Sequence, residues 1–208
     1  MAQTFIVVDG NTGTGKSTVA RSLAARLDAA LFHYPAPFVR FRDDARLDSQ
    51  LEALPRLLYY LAATVHLSDL VGAELARGRS VVCDRYLAAP LSLLAADGSL
   101  AEGDLQRWTE LIEPSLRRPD LTLILVSSHA AAAARLTDSS RASGAAATPL
   151  TEIQGRTVRS PKFFFRRQAA LFRFAVRLGP VAELDTTSLG PEEMRLAAFR
   201  LVDELPRH

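Results

Sequence analysis

The chain has 208 residues, 48% of them hydrophobic, with 25 basic and 23 acidic side chains and a formal net charge of +2. That length suits one domain with a substantial core, and the near-balance of charge argues against a nucleic-acid binder, which carries a basic excess or a basic stripe. The single cysteine, Cys83, rules out an internal disulfide and suits the reducing cytoplasm; no apolar run reaches membrane-spanning length, and no basic leader precedes the first strand, so no signal peptide is expected.

In chain order, Phe5 to Val8 is a β-branched apolar run closed by Asp9-Gly10 and predicts a buried strand. Ser17 to Leu27, with Val19, Leu23 and Leu27 at helical spacing, predicts a helix. Ala30 to His33 predicts a short second strand ended by Tyr34-Pro35. A long helix follows, with Pro55 in its first turn, an apolar face of Leu57, Leu58, Leu61 and Val65, and an end near Arg77-Gly78. Ser80 to Asp84 predicts a third strand, Leu105 to Ile112 a helix interrupted by Pro114, and Leu121 to Val126 a fourth strand. Ala130 to Leu136 predicts an alanine-rich helix, Val181 to Leu184 a fifth strand, and Pro191 to Leu205 a closing helix. Thr137 to Pro149, small and polar with a glycine, predicts a flexible loop. Strands alternating with helices predict an α/β fold with a five-stranded parallel sheet covered on both faces, whose ligands bind beyond the carboxyl ends of the strands.

The segment Gly10-Asn11-Thr12-Gly13-Thr14-Gly15-Lys16-Ser17 fits G-x-x-x-x-G-K-[ST] between a strand and a helix. Its glycines let backbone N–H groups curl around phosphate oxygens, and the helix N-terminus adds partial positive charge. These residues and Thr18 are the expected cradle for a nucleoside triphosphate. Lys16, one of only two lysines in the chain, supplies a point charge for the β- and γ-phosphates and is expected at the protein surface. Ser17 offers a hydroxyl to Mg²⁺. After the third strand, Asp84 can reach the Mg²⁺ shell and Arg85 can fork onto an anionic acceptor; a strand end whose Asp and Arg cap nearby backbone is the alternative. Arg135, Arg141, Arg156, Arg159, Arg166 and Arg167 lie in and around the 137–149 segment. They suit a closing lid at about 135–160 that excludes water and stabilises a migrating phosphoryl group, or else a solvated face. Tyr34 and Phe38 belong to an aromatic cluster that can stack on a nucleobase or pack in the core. His66 and His129 have no metal-ligand spacing around them.

The order of glycine-rich loop, Asp84-Arg85-Tyr86, the strand LTLILV, a helix and an arginine-bearing lid resembles the thymidylate kinase family over nearly the whole chain. FFFRRQAALFRFA resembles that family's helix after the lid, and VAELDTTSLGPEEM its last strand, adenine-side loop and final helix. The resemblance implies a single P-loop kinase domain over 1–208, ATP with Mg²⁺, and phosphorylation of a nucleoside monophosphate by a cytoplasmic homodimer. It places Asp9 and Thr12 near the acceptor, gives Arg85 the acceptor phosphate, and makes Arg135 the start of the lid, with Arg141 beyond it. Tyr34, Phe38, His66 and Arg85 are the expected acceptor-side residues.

The acceptor side departs from that family's pattern. HYPAP stands where an Arg-Glu-Pro-like segment is usual. Aligned on His66, Ala62-Ala63 stand where the long helix usually presents Asp-Arg. Arg40 and Arg42 are the candidates to replace the missing arginines, since a lost bidentate contact costs about 2 kcal/mol or more. DGNTGTGKST also looks like the loop of deoxynucleoside kinases, which act on a 5′-hydroxyl and need a carboxylate base; Asp9, Asp43 and Asp44 are candidates. A non-catalytic nucleotide-binding module is a third reading. A guanine-reading Asn-Lys-x-Asp motif is absent from the sequence.

Overall fold

The structure, a computed structural model, is described over residues 3–35, 51–142 and 150–205. Phe38, Arg40, Arg42, Asp43 and Asp44 lie outside the described residues. Five strands form one parallel sheet: β1 (Phe5–Gly10), β2 (Ala30–His33), β3 (Val81–Asp84), β4 (Leu121–Val126) and β5 (Val181–Asp185), in the order β2-β3-β1-β4-β5. β1 lies between β3 and β4, with Phe5 opposite Val81 on one side and Ile6 opposite Leu121 on the other. The chain winds away from β1 in both directions, so a crevice opens at the carboxyl ends of β1, β3 and β4.

Every residue of β1 and β4 is buried, as a parallel sheet covered on both faces requires. Side chains alternate: Phe5 and Val7 join one core, Ile6 and Val8 the other. On the Ile6 face lie α1 (Lys16–Leu27), through Val19, Ala20 and Leu23, and the last helix, α8 (Pro191–Asp203), through Met194 and Ala198. The Phe5 face is covered by α2 (Ala53–Ala76), α3 (Ala88–Asp97), α4 (Glu102–Ile112) and α7 (Pro161–Ala175). α5 (His129–Ala142) and α6 (Glu152–Arg159) connect β4 to α7.

Three differences from the sequence expectations have physical causes. α5 runs on through Ala142, so residues 137–142 are helical rather than loop. The alanine run favours helix, and the Thr137 and Ser139 hydroxyls bond back to the Ala133 and Leu136 carbonyls, so these polar residues are satisfied inside it. Leu57 and Leu61 are buried, but Leu58 is 44% exposed; the buried stripe of α2 runs Leu57, Tyr60, Leu61, Thr64, Leu67, Val71 and leaves Leu58 off it. α3 has no apolar period because it is buried on nearly all sides, and its Pro90 falls in the first turn, where no helical hydrogen bond is lost.

The front of α2 is fixed to the end of α3 by an ion pair, Arg56 Nη2 to Asp97 Oδ2 at 2.9 Å, with both side chains largely buried. Arg56 also donates to Ser99 Oγ. Truncating Asp97 removes a buried anionic partner of Arg56, so Asp97→Ala is expected to lower unfolding free energy by about 3 kcal/mol, while Arg56→Met with Asp97→Leu, which removes both charges, costs less. Urea denaturation followed by circular dichroism measures both.

Candidate active site at the carboxyl edge of the sheet

Between the end of β1 and the start of α1 the backbone folds into a tight loop over residues 10–15. Gly10 and Gly13 both have positive φ, +145° and +88°. A Cβ on Gly13 would sit 2.5 Å from the Ala132 carbonyl oxygen, and one on Gly10 would run into the Leu125 carbonyl oxygen. Glycine alone meets both demands. The N–H groups of Thr18 and Val19 donate to the Gly15 carbonyl at 3.1 and 3.2 Å, closing the first turn of α1.

Lys16 is only 5% exposed, contrary to its expected place at the surface. Its ammonium folds back into the loop and donates to the Asn11 carbonyl at 2.6 Å, an oxygen that Thr14 Oγ1 also engages at 2.9 Å. Burial, with the charge of Arg85 adding to it, brings the Lys16 ammonium down to about 7. Asp9 is fully buried; its Oδ1 accepts from the Gly10 N–H at 2.8 Å and its Oδ2 has no partner. Burial pushes the Asp9 carboxyl up, against the pull of Arg85, the Gly10 N–H, Lys16 and Arg167.

From β3, Asp84 Oδ2 accepts from Ser17 Oγ at 2.6 Å and faces His33 Nδ1 at 3.3 Å, while its buried Oδ1 has no partner. A serine hydroxyl beside a carboxylate with an unsatisfied oxygen is a donor set that fits a hard divalent cation such as Mg²⁺. Arg85 sits at φ +76°, a conformation unfavourable by about 1–2 kcal/mol for a residue with a Cβ. Its N–H donates to the Val8 carbonyl at 2.9 Å, which ties this bend to β1. Tyr86, next in sequence, is buried edge-on against Phe5. The fold therefore brings Asp9, Lys16, Ser17, Asp84 and Arg85 together from three segments.

Arg135, on α5, reaches a different part of the loop. It donates to the backbone carbonyls of Gly13, Thr186, Thr187 and Leu189, so it is tied between the phosphate loop and the β5–α8 connection. Thr186, buried in that connection, donates to the Val126 and Thr14 carbonyls. Arg141 lies on α5, with its side chain outside the described residues. The Tyr34 N–H donates to the Asp84 carbonyl at 3.0 Å, and its hydroxyl to the Tyr60 carbonyl at 2.8 Å. His66 is half-buried midway along α2. Arg156 stacks on Phe163 at 4.4 Å.

The sequence groups His33 with the aromatic cluster after the second strand, not with Asp84, and gives no sign of the roles of Thr186 or of the Asn11 side chain, whose Nδ2 donates to the Phe164 carbonyl at 2.9 Å. These contacts span long sequence separations, and no local pattern announces them. The sequence groups Arg167 with the lid arginines, yet it is buried against the loop. That position has a signal: it falls on the same helical face as Phe163, Phe164, Ala170, Leu171 and Phe174.

A family model for thymidylate kinase matches residues 8–155. The thymidylate kinase of Pseudomonas putida (strain GB-1) is 34% identical over 135 residues, 60% of this chain and 64% of that protein. That of Neorickettsia sennetsu is 35% identical over 136 residues, covering 60% and 66%, and that of Methylococcus capsulatus 32% over 136 residues, covering 58% and 62%. The matches span less than two thirds of the length of these curated relatives. Matched along most of its length, from the end of β1 through the phosphate loop and the Asp84-Arg85 bend to α6, the chain belongs to the thymidylate kinase family.

Proposed function

We propose that the chain transfers the γ-phosphoryl group of ATP to the phosphate of a nucleoside monophosphate, dTMP or a related acceptor. The observation that carries this reading is the convergence of Lys16, Ser17, Asp84 and Arg85 at one end of the sheet. Phosphoryl transfer asks little of a protein beyond positioning and charge stabilisation, and this cluster offers both. Residues 10–18 cradle the triphosphate, with Lys16 exchanging its Asn11 carbonyl partner for phosphate oxygens. Ser17 and Asp84 would hold Mg²⁺, which when bound would supply charge neutralisation at the phosphates. Arg85 meets the acceptor phosphate, and Asp9 and Tyr34 flank the acceptor. Arg135 supports the nucleoside end of ATP through the backbone it holds, and Arg141 and the arginines of α6 belong to the lid.

No described helix is long and apolar enough to cross a membrane; action in the cytoplasm is part of the proposal, supported by the free buried thiol of Cys83. A homodimer is the other part. Leu54 and Leu58, 45% and 44% exposed, and Ala62 form an apolar stripe on the outer side of α2 that nothing in the described chain covers.

The direct test is a product-mass assay with MgATP against dTMP, the other nucleoside monophosphates and the free nucleosides. Turnover with one or more monophosphates, forming a diphosphate, is expected; turnover with free nucleosides alone would overturn the reading in favour of a 5′-hydroxyl acceptor. For assembly, sedimentation should give a dimer for the wild-type chain and a monomer for Leu58→Glu. An unchanged sedimentation coefficient in that variant would remove α2 from the interface.

A further inference from the structure

Two consecutive residues of the phosphate loop are tied to one face of α7. Asn11 Nδ2 donates to the Phe164 carbonyl at 2.9 Å, and Arg167 Nη1 donates to Thr12 Oγ1 at 3.5 Å. Phe164 and Arg167 are three residues apart, so they are neighbours on the helix surface. The rest of that buried face is apolar: Phe163, Ala170, Leu171 and Phe174. Arg167 is only 1% exposed. Desolvating a guanidinium is costly, and leucine or methionine would fill the space without that cost. The charge is instead felt at the loop, where it stabilises the ionised Asp9 carboxylate and adds to the cationic field around Lys16. At 3.5 Å the contact to Thr12 is long for a hydrogen bond, so charge and shape together define the side chain's role.

We propose that Arg167 is a positioning residue for phosphoryl transfer, clamping the loop at Thr12 so that its first limb stays fixed while Lys16 and Arg85 engage the reacting phosphates. The proposal rests on the kinase reading above. The clamp is continuous with the arginine-bearing α6: Ser160 alone separates α6 from α7, and its hydroxyl caps α7 by accepting from the Phe163 N–H at 3.2 Å. Closure around α6 and the shape of the phosphate loop are thereby joined through one helix.

The test uses the full chain with MgATP and whichever monophosphate the wild type accepts, comparing Arg167→Met, Arg167→Lys and Thr12→Val in kcat, both KM values and Tm. Arg167→Met is expected to lower kcat about tenfold or more, with KM for ATP nearly unchanged, since misplacement of reacting groups acts on the chemical step. Arg167→Lys should recover much of that loss, and Thr12→Val should lower kcat less and add little to Arg167→Met. Arg167→Met with wild-type kcat overturns the proposal. So do Lys and Met variants equally impaired with matching losses of Tm, the mark of a packing role. Should Arg167→Met fail to fold, Thr12→Val decides: a lower kcat at unchanged Tm supports the clamp, and an unchanged kcat overturns it. A wild-type chain inert toward every monophosphate overturns the kinase reading and the clamp together, whereas an active wild type with indifferent variants overturns the clamp alone.

Discussion

Lys16 is an ammonium buried in a loop and bonded to a backbone carbonyl rather than to a carboxylate. A buried cation is unfavourable by several kcal/mol unless an anion pairs with it; burial and the charge of Arg85 outweigh the pull of Asp84 and Asp9, so the proton affinity of Lys16 is depressed. Such an arrangement is tolerable where an anion is the intended partner. Phosphate oxygens would replace the Asn11 carbonyl, give the ammonium an anionic partner and offset the cost of its burial. The glycine conformations around it and the packing of Ala132 and Leu125 against the loop hold that cation in place before a ligand arrives. Fixed charges of this kind stabilise a transition state without reorganising during the reaction.

The remaining groups depend on sheet topology. Because β1 lies between β3 and β4, the ends of β1 and β3 deliver Asp9 and Asp84 to the same edge. Ser17, on the first turn of α1, meets Asp84 only because α1 starts directly after the loop. Arg85 adds its charge from a left-handed bend anchored on β1. On the far side of the loop, Arg135 and Thr186 bind it to the β5–α8 connection. On the near side, Asn11 and Thr12 bind it to α7. The phosphate loop is thus supported from both flanks.

Much of this was legible in the sequence where the signal is short-range. The strand–loop–helix context, the strand LTLILV and the Asp84-Arg85 pair are each contained within a few residues, and each element lies where its pattern predicts. α3 was not legible, because a helix buried on nearly all sides carries no period. The length of α5 was misread because serine and threonine mark turns unless their hydroxyls bond back into the helix, as those of Thr137 and Ser139 do. The burial of Lys16 could not be foreseen from a motif that is often drawn as an exposed loop; it follows from Asn11 turning its carbonyl inward. Just past β2, the Tyr34 hydroxyl is bonded to α2 through the Tyr60 carbonyl, next to Thr64, and nothing in the local spelling HYPAP announces that contact.

The central claim is that the buried Lys16 is held for the phosphates that are transferred. The most direct measurement is single-turnover transfer of the γ-phosphoryl group from MgATP to the accepted monophosphate by wild type and Lys16→Ala, with cooperative unfolding verified for both. The account predicts a folded Lys16→Ala protein whose transfer rate falls on the order of 10³-fold. A folded Lys16→Ala protein that transfers at nearly the wild-type rate would contradict it.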